Sequence, residues 1–380
     1  MDALDAMLTK QLLLALAGRR FFSEEELCLL QLPCQLGGIG LPSFQSMAAE
    51  QFKVSCDNTC TSGQVEEILH QQDESWQAKS CNFVSEMAQC ERASAAVVAR
   101  KACVSSLAAM RERVSQHLAH GLEELSSKGS SSWLTALPLS KHGFHLSKQD
   151  FWDGLKLRYD WPLYDTLRTC TCGVPFTPAH AMCCQRGGFL TICHNEVRDL
   201  VGYLLSEVCH SVAIEPQLAP LSGEVFSVAS TNTADDARAD VRARGFWTRA
   251  QDAFFDIRIF HPDAASYVDK PLEKLFLQHE QQKKLEYNER IVNVDRGTFC
   301  PLVFTTAGAA SPECAKFLQR LCGMLANLDR MPYAQTAWYV RCRLSFALLR
   351  AAIMCLRGSR SSYHQPVNAL RELAVAEGQG

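Results

Sequence analysis

A cluster of cysteine and histidine residues constrains this chain more than any other feature. Cys170 and Cys172 are followed by His180 and then by the adjacent pair Cys183 and Cys184. Thiolate and imidazole groups that converge tetrahedrally are the usual ligands of structural zinc. The loop between the two halves of the cluster contains glycine and proline, which favour a chain that returns on itself. The sequence therefore predicts a structural zinc knuckle.

The fourth ligand of this knuckle is a choice between two neighbours. We favour Cys184 over Cys183, because an offset of four residues from His180 puts both side chains on one face of a helix. The single residue between Cys170 and Cys172 is a tighter spacing than the common two to four. The alternative is a cysteine-rich turn that is buried without metal.

Two acidic residues in strand-like segments predict a second site, for a harder metal ion. Asp240 lies in Ala-Asp-Val-Arg and Asp256 lies in Phe-Phe-Asp-Ile-Arg-Ile, and the interval between them leaves room for a hairpin. Carboxylates suit Mg²⁺, which promotes phosphodiester hydrolysis by activating water and relieving charge on the phosphate. A carboxylate in so apolar a strand is costly unless it is paired or binds metal. We therefore predict that Asp240 and Asp256 hold magnesium and are catalytic.

Arg258 is predicted to assist this chemistry, because side chains two residues apart on a strand share a face. The alternative is a structural ion pair of Arg258 with Asp256 or Asp240. We also predict that Glu215 supplies a further carboxylate and Lys283 an ammonium group. Weaker candidates for the same cleft are His194, Glu196, Lys284 and Tyr287.

Composition describes an ordinary globular protein of 380 residues with a net charge of −3, so nucleic-acid binding would have to come from local patches. Such a patch lies between residues 316 and 360, where eight basic residues face one acidic residue. We predict nucleic-acid contacts by Arg341, Arg343, Arg350 and Arg357.

The 18 cysteines are scattered and the first residues are acidic, which predicts a reducing, intracellular location in nucleus or cytoplasm. No apolar run reaches the roughly 18 residues of a spanning helix, so neither secretion nor membrane insertion is predicted.

Patterning predicts an α+β fold with an α/β core. The expected order after the knuckle is helix, three strands, helix, strand, then C-terminal helices. The predicted regions are a helical region (1–125), a serine-rich linker (126–132), an aromatic-rich segment with the knuckle (133–190), the core (191–328), a basic helix (329–360) and a flexible tail (361–380).

These motifs together resemble the restriction-like endonuclease region at the C-terminus of non-LTR retrotransposon polyproteins. In that family a Cys-Cys-His-Cys knuckle precedes a PD-(D/E)xK-type nuclease, matched here by Cys170, Cys172, His180 and Cys184 and then by Asp240 and Asp256. The segment 32–42 is similar to the stretch that follows the polymerase domain in reverse-transcriptase proteins. The chain departs from the family at Ala239, where proline is usual, and at Arg258, which stands in the lysine position and cannot act as a base.

The resemblance implies structural zinc, catalytic magnesium and nicking of target DNA to prime reverse transcription. It implies as partners the target DNA, the element RNA and a reverse-transcriptase domain of the same or a parent polyprotein. No Tyr-x-Asp-Asp polymerase motif occurs in the sequence. Two alternatives stay open: a catalytically decayed remnant that binds nucleic acid and keeps its zinc knuckle, and a structural scaffold whose cysteines hold no metal.

Overall fold

The structure is a computed structural model that describes residues 2–17, 22–41, 101–109, 116–219 and 238–359, with a few single residues between 44 and 100. Residues 162, 164, 165, 268 and 269 fall outside this description. The chain divides into two compact units, Met1–Leu122 and Glu123–Gly380. In the predicted helical region (1–125), most of residues 43–125 lie outside the described residues, as does the whole tail predicted at 361–380.

The described part of the first unit is helical. Its helices α1 (Asp2–Met7) and α2 (Leu13–Ala17) are joined by a π-helical stretch, and α3 (Glu24–Gln31) follows. Ser23 and Glu26 form a capping box at the start of α3, in which each side chain accepts a hydrogen bond from the backbone N–H of the other residue. This arrangement satisfies N–H groups that the first helical turn leaves without partners.

The second unit combines helices with one four-stranded sheet. Its elements in chain order are α4 (Gln116–Ser126, which begins in the first unit), α5 (Ser132–Thr135), α6 (Lys148–Tyr159), α7 (Pro178–Cys183), α8 (Phe189–Val208), β1 (Ser211–Ile214), β2 (Val241–Arg244), β3 (Asp252–Phe260), α9 (Leu272–Asn288), β4 (Thr298–Thr305), α10 (Pro312–Asp329) and α11 (Tyr333–Arg357). From α8 to β4 this is the predicted order of helix, three strands, helix and strand. The architecture is mixed helix and strand, as predicted.

The strands lie in the sheet in chain order, β1-β2-β3-β4. The pairs β1–β2 and β2–β3 are antiparallel, with Val241 opposite Phe255, and β3–β4 is parallel. A parallel pair requires a crossover connection, which α9 provides. Because β2 begins at Val241, it pairs with β3 only as far as Phe255, and the rest of β3 is not paired with β2.

The two faces of β3 pack against different helices. Ala253, Phe255 and Ile257 point into the main core, which is shared with α8, α10 and α11. Phe254 and Phe260 point to the opposite face, where they contact residues of α9. Asp256 and Arg258 alternate with the core residues and therefore lie on this α9 face.

The serine-rich segment 126–132 is compact in the structure. The hydroxyls of Ser130 and Ser131 both donate to the carbonyl of Leu125, at 2.9 and 3.0 Å, and both residues are buried. Serine hydroxyls can satisfy the carbonyls that a helix end leaves unpaired. The segment predicted as a linker is thus a folded turn after α4, and the division between the units falls a few residues earlier.

None of the described helices is both long enough and apolar enough to cross a lipid bilayer.

Candidate metal centre and acidic site

The predicted knuckle is a tight turn followed by a short helix. The N–H of Cys170 donates to the carbonyl of Val174, and Gly173 adopts a left-handed conformation (φ 88°) that closes the turn. Thr177 then caps α7 by accepting a hydrogen bond from the N–H of His180. The first helical turn thereby brings His180 back toward the cysteines.

The four predicted ligands converge. The ligand atoms of Cys170, Cys172, His180 and Cys184 all lie within 4.8 Å of one another. The sulfurs of Cys170 and Cys184 are 3.7 Å apart, and Cys172 Sγ is 3.3 Å from His180 Nε2. Tetrahedral zinc with bonds of about 2.0–2.3 Å requires ligand separations of roughly 3.3–3.8 Å. The site can therefore hold a metal such as zinc, and Cys183 is exposed and outside the group.

The thiol of Cys170 is prepared to bind a cation. Burial acts most strongly on its pKa and raises it. Hydrogen bonds from the Cys172 backbone and with the side chains of His180, Cys172 and Cys184 outweigh burial and lower the pKa to about 6. Since the thiolate is the form that binds metal, this favours metal binding at neutral pH.

The knuckle packs on the two longest helices of the second unit. Its residues Cys170, Phe176 and Cys184 share a buried cluster with Phe189 and Cys193 of α8, and with Ala351, Ala352, Cys355 and Leu356 of α11. The next residue, His194, contacts Asp240 of the acidic site. The start of α8 therefore contacts both the knuckle and the acidic site.

The acidic site lies where β2 begins. Asp240 is the residue before β2, and Asp256 follows Phe255, the residue of β3 that pairs with Val241 at the start of β2. The side chain of Asp240 reaches the edge of β3 next to Asp256, because its Oδ2 accepts a hydrogen bond from the N–H of Ile257. In agreement, the charge of Asp240 contributes to raising the pKa of Asp256. The structure thus brings together the two carboxylates that the sequence singled out.

The carboxylate of Asp240 bonds a backbone N–H of β3 that β2 leaves unpaired. Its Oδ2 accepts a hydrogen bond from the N–H of Ile257 at 2.5 Å and lies 3.0 Å from Nε2 of His194. The same Nε2 is 3.1 Å from the carbonyl oxygen of Ile257. Burial opposes protonation of His194, but the hydrogen bond and charge of Asp240 raise its pKa overall.

Asp256 faces α9. Its Oδ2 forms an ion pair with Nζ of Lys283 at 3.0 Å, and the hydroxyl of Tyr287 is close enough to lower the pKa of the carboxyl. Burial and then the charge of Asp240 raise the pKa of Asp256 to about 6, against the opposing influence of Lys283 and Tyr287. Burial lowers the pKa of Lys283, but the adjacent carboxylates of Asp256 and Glu286 raise it overall, so Lys283 is an ammonium ion at neutral pH.

The site is partly open to solvent. The side chains of Asp240, Asp256 and Lys283 are 14%, 5% and 18% exposed. None of the described arginines forms an ion pair with either aspartate. The alternative of a structural ion pair with Arg258 is therefore wrong.

Two of the predicted catalytic residues have other surroundings. Arg258 is exposed on the face of β3 that carries Asp256, but the cation in contact with Asp256 is Lys283. Glu215 donates its backbone N–H to the carbonyl of Asp240, whereas its carboxylate is paired with Arg198 and Arg238. A guanidinium is a better partner for a carboxylate than open water, so Glu215 is not directed to the pair.

The structure selects among the weaker candidates. His194, Lys283 and Tyr287 contact the acidic pair, while Lys284 pairs with Glu313 of α10. Glu196 has a raised pKa, caused by burial and then by Asp199, and it does not join them. In the part of the chain that the structure describes, the knuckle is the one group of three or more converging ligands. The acidic site thus offers two carboxylates to a metal.

The arginines predicted to bind nucleic acid are largely engaged within the fold. Arg357 makes two hydrogen bonds to the buried carboxylate of Asp153, at 2.6 and 2.7 Å. Arg350 donates to the carbonyls of Gly143 and His145, and Arg343 donates to the hydroxyl of Tyr339. Arg341 is half-buried. Contact with DNA would require Arg350 and Arg357 to leave these partners. The main role of α11 is therefore in the core of the fold.

Comparison of the sequence with protein-family models and with curated proteins gave no match.

Proposed function

We propose that the second unit is an endonuclease that hydrolyses DNA phosphodiester bonds with Mg²⁺ held by Asp240 and Asp256. The observation that carries this proposal is that Asp240 bonds the N–H of Ile257, the residue next to Asp256, at a partly open strand edge where the ammonium of Lys283 contacts Asp256. A buried acid with a raised pKa in a cleft is a frequent property of functional sites.

The oxygen donors at this edge fit a hard divalent ion. Mg²⁺ commonly takes one or two protein carboxylates and keeps several waters, so two aspartates suffice. When bound, the ion would supply Lewis-acid stabilisation of the phosphoryl oxygens and an activated water.

The side chains around the pair have separate tasks. Lys283 carries a positive charge at neutral pH, so it neutralises charge on the phosphate and orients water rather than accepting a proton. Ile257 N–H and His194 fix the orientation of the Asp240 carboxylate. Tyr287 favours the ionised form of Asp256, the form that binds a metal ion.

The biological setting follows from the family resemblance alone. We propose that the chain acts as the endonuclease module of a retrotransposon reverse-transcriptase protein, nicking target DNA so that the element RNA can be copied. Its partners would be that DNA, that RNA and a reverse-transcriptase domain. The zinc knuckle would position DNA by contacts to phosphates rather than to bases.

The second candidate function is a decayed, non-cleaving protein that binds nucleic acid and retains its zinc knuckle. Two observations favour it. The Asp240 carboxylate already has two partners within the fold, and a third converging ligand is absent among the described residues. This candidate predicts salt-sensitive DNA binding without cleavage.

Nicking of supercoiled plasmid DNA tests the proposal. We expect the parent to nick with Mg²⁺, and Asp256→Asn to lose at least about 100-fold in rate, since it removes both a metal ligand and the partner of Lys283. Asp252→Asn is the matched control, because Asp252 begins the same strand and is half-exposed. Equal rates for the parent and Asp256→Asn would exclude the assigned site. A parent that binds DNA but never nicks would favour the decayed protein.

A further inference from the structure

Two cations beside the acidic site have no acidic partner. Arg258 is exposed on β3, two residues beyond Asp256, and it forms no ion pair or hydrogen bond within the described residues. Lys270, in the loop before α9, donates to the neutral amide of Gln278 at 3.3 Å and lies 5.9 Å from the centre of the Tyr267 ring. Neither charge is neutralised in the part of the chain that the structure describes.

A buried imidazole lies beside these cations. His279 of α9 is only 2% exposed, and its ring packs against Phe260 at 4.4 Å and Tyr267 at 5.4 Å between centroids. Its Nε2 is buried and has no hydrogen-bond partner. Unpartnered buried polar atoms are rare, and each calls for a specific explanation such as an absent ligand.

The packing of α9 along β3 brings these groups together. Lys283 contacts Asp256, whereas His279, one helical turn earlier, contacts Phe260. Arg258 lies between Asp256 and Phe260 on the same strand face, and hence between Lys283 and His279. Burial and then the charges of Arg258, Lys283 and Lys270 lower the pKa of His279 to about 4. At neutral pH the imidazole is therefore uncharged, so one ring nitrogen carries a proton that it can donate.

Uncompensated cations next to a neutral N–H donor describe a site for an anion. A phosphate group fits best, because its several oxygens can accept from a guanidinium, an ammonium and an imidazole at once. Arg258 is about 7 Å from Asp256 along the strand, a distance that its long side chain spans easily. A carboxylate ligand is less suitable, since it has two oxygens for three donors.

We propose that Arg258, Lys270 and His279 form a phosphate-binding subsite, which holds the backbone phosphate adjacent to the one placed at Asp240 and Asp256. This inference rests on the proposed function. It assigns Arg258 to substrate binding, although Arg258 stands in the position of the catalytic lysine of the family that the sequence resembles. It explains why an arginine stands here while Lys283 serves Asp256.

The salt dependence of DNA binding tests the subsite separately from cleavage. Binding of a fluorescent DNA duplex is measured by anisotropy between about 50 and 200 mM salt, without added magnesium, for the parent, Arg258→Gln and Lys270→Gln. Each variant should lower the magnitude of the slope of log K against log salt by about 0.9, the value for one lost phosphate contact. Arg249→Gln is the control, since this exposed arginine lies in the β2–β3 turn at the other end of the strands. Line broadening of inorganic phosphate in ³¹P NMR forms a second arm.

Slopes equal to that of the parent in both variants would overturn the subsite. A parent that binds inorganic phosphate through Arg258 but binds no DNA would show a free phosphate as the ligand and overturn the DNA strand as its source. Binding of neither would also overturn it. If the parent does not nick DNA but the two variants still show the smaller slopes, the result would count against the proposed nuclease function and not against the subsite.

Discussion

The ionised form of Asp256 is disfavoured by burial and by Asp240 more than it is favoured by Lys283 and Tyr287. Burial and the carboxylate of Asp240 raise its pKa to about 6, even though Lys283 lies 3.0 Å away. In an unfolded chain the pKa of aspartate is about 3.9. Relative to the unfolded chain, folding therefore favours the protonated acid, and an ionised Asp256 costs stability until a metal cation joins it. Functional sites commonly retain such unfavourable groups.

The pH dependence follows from the sign of this shift. The favourable contribution of protonated Asp256 is fully present below about pH 4 and is lost as the pH rises through about 6. Above that range the charged form costs on the order of 2–3 kcal/mol. Asn cannot ionise, so Asp256→Asn should stabilise the magnesium-free protein near neutral pH by about this amount while abolishing nicking.

Urea denaturation at a series of pH values measures this effect. The difference between Asp256→Asn and the parent should vanish near pH 4, and Asp252→Asn provides the baseline for removing a carboxylate from the same strand. An Asp256→Asn protein that is less stable than the parent at neutral pH would show that the carboxylate has a structural role.

At the level of elements, the knuckle fastens α8 to α11. Its buried residues pack between the two helices, and His194 follows Cys193 directly on α8. Metal bound by the folded chain and not by the unfolded one adds its binding free energy to stability. The knuckle thus supports the helix that carries one of the partners of Asp240.

Zinc content and thermal stability test this element together. We expect about one zinc per chain in the parent and in Cys183→Ser, and loss of that zinc in Cys184→Ser, because only Cys184 converges with the other ligands. Removal of zinc should lower the melting temperature by about 10 °C, as expected for about 4 kcal/mol in a unit of this size. Absence of zinc from freshly reduced parent protein would favour a cysteine-rich turn packed without metal.

For the whole molecule, local patterns predicted the elements and the ligands well. The apolar run around Asp256 predicted β3, and the spacing of two residues predicted that Asp256 and Arg258 share a face of it. The four-residue offset between His180 and Cys184 predicted which cysteine converges, because that offset lies within one helical turn. These are short-range regularities, which the sequence contains directly.

Contacts between distant segments could not be predicted in this way. The choice of Lys283 over Arg258 depends on how α9 crosses the sheet, and the pairing of Glu215 with Arg198 depends on where α8 meets β1. The charge-rich end of the chain suggested a binding surface, yet Arg357 bonds Asp153 across the fold. One signal for the proposed subsite was available in the sequence: His279 lies four residues before Lys283, and hence on the helix face that carries this predicted site residue.

Electron paramagnetic resonance of Mn²⁺, a stand-in for Mg²⁺, measures most directly whether the two aspartates share a divalent ion. The zinc-loaded parent and Asp252→Asn should each bind an ion that Asp240→Asn and Asp256→Asn both fail to bind, since carboxylate oxygens are the ligands this class of ion prefers. Unchanged Mn²⁺ binding in both of the latter variants would contradict a metal site at Asp240 and Asp256.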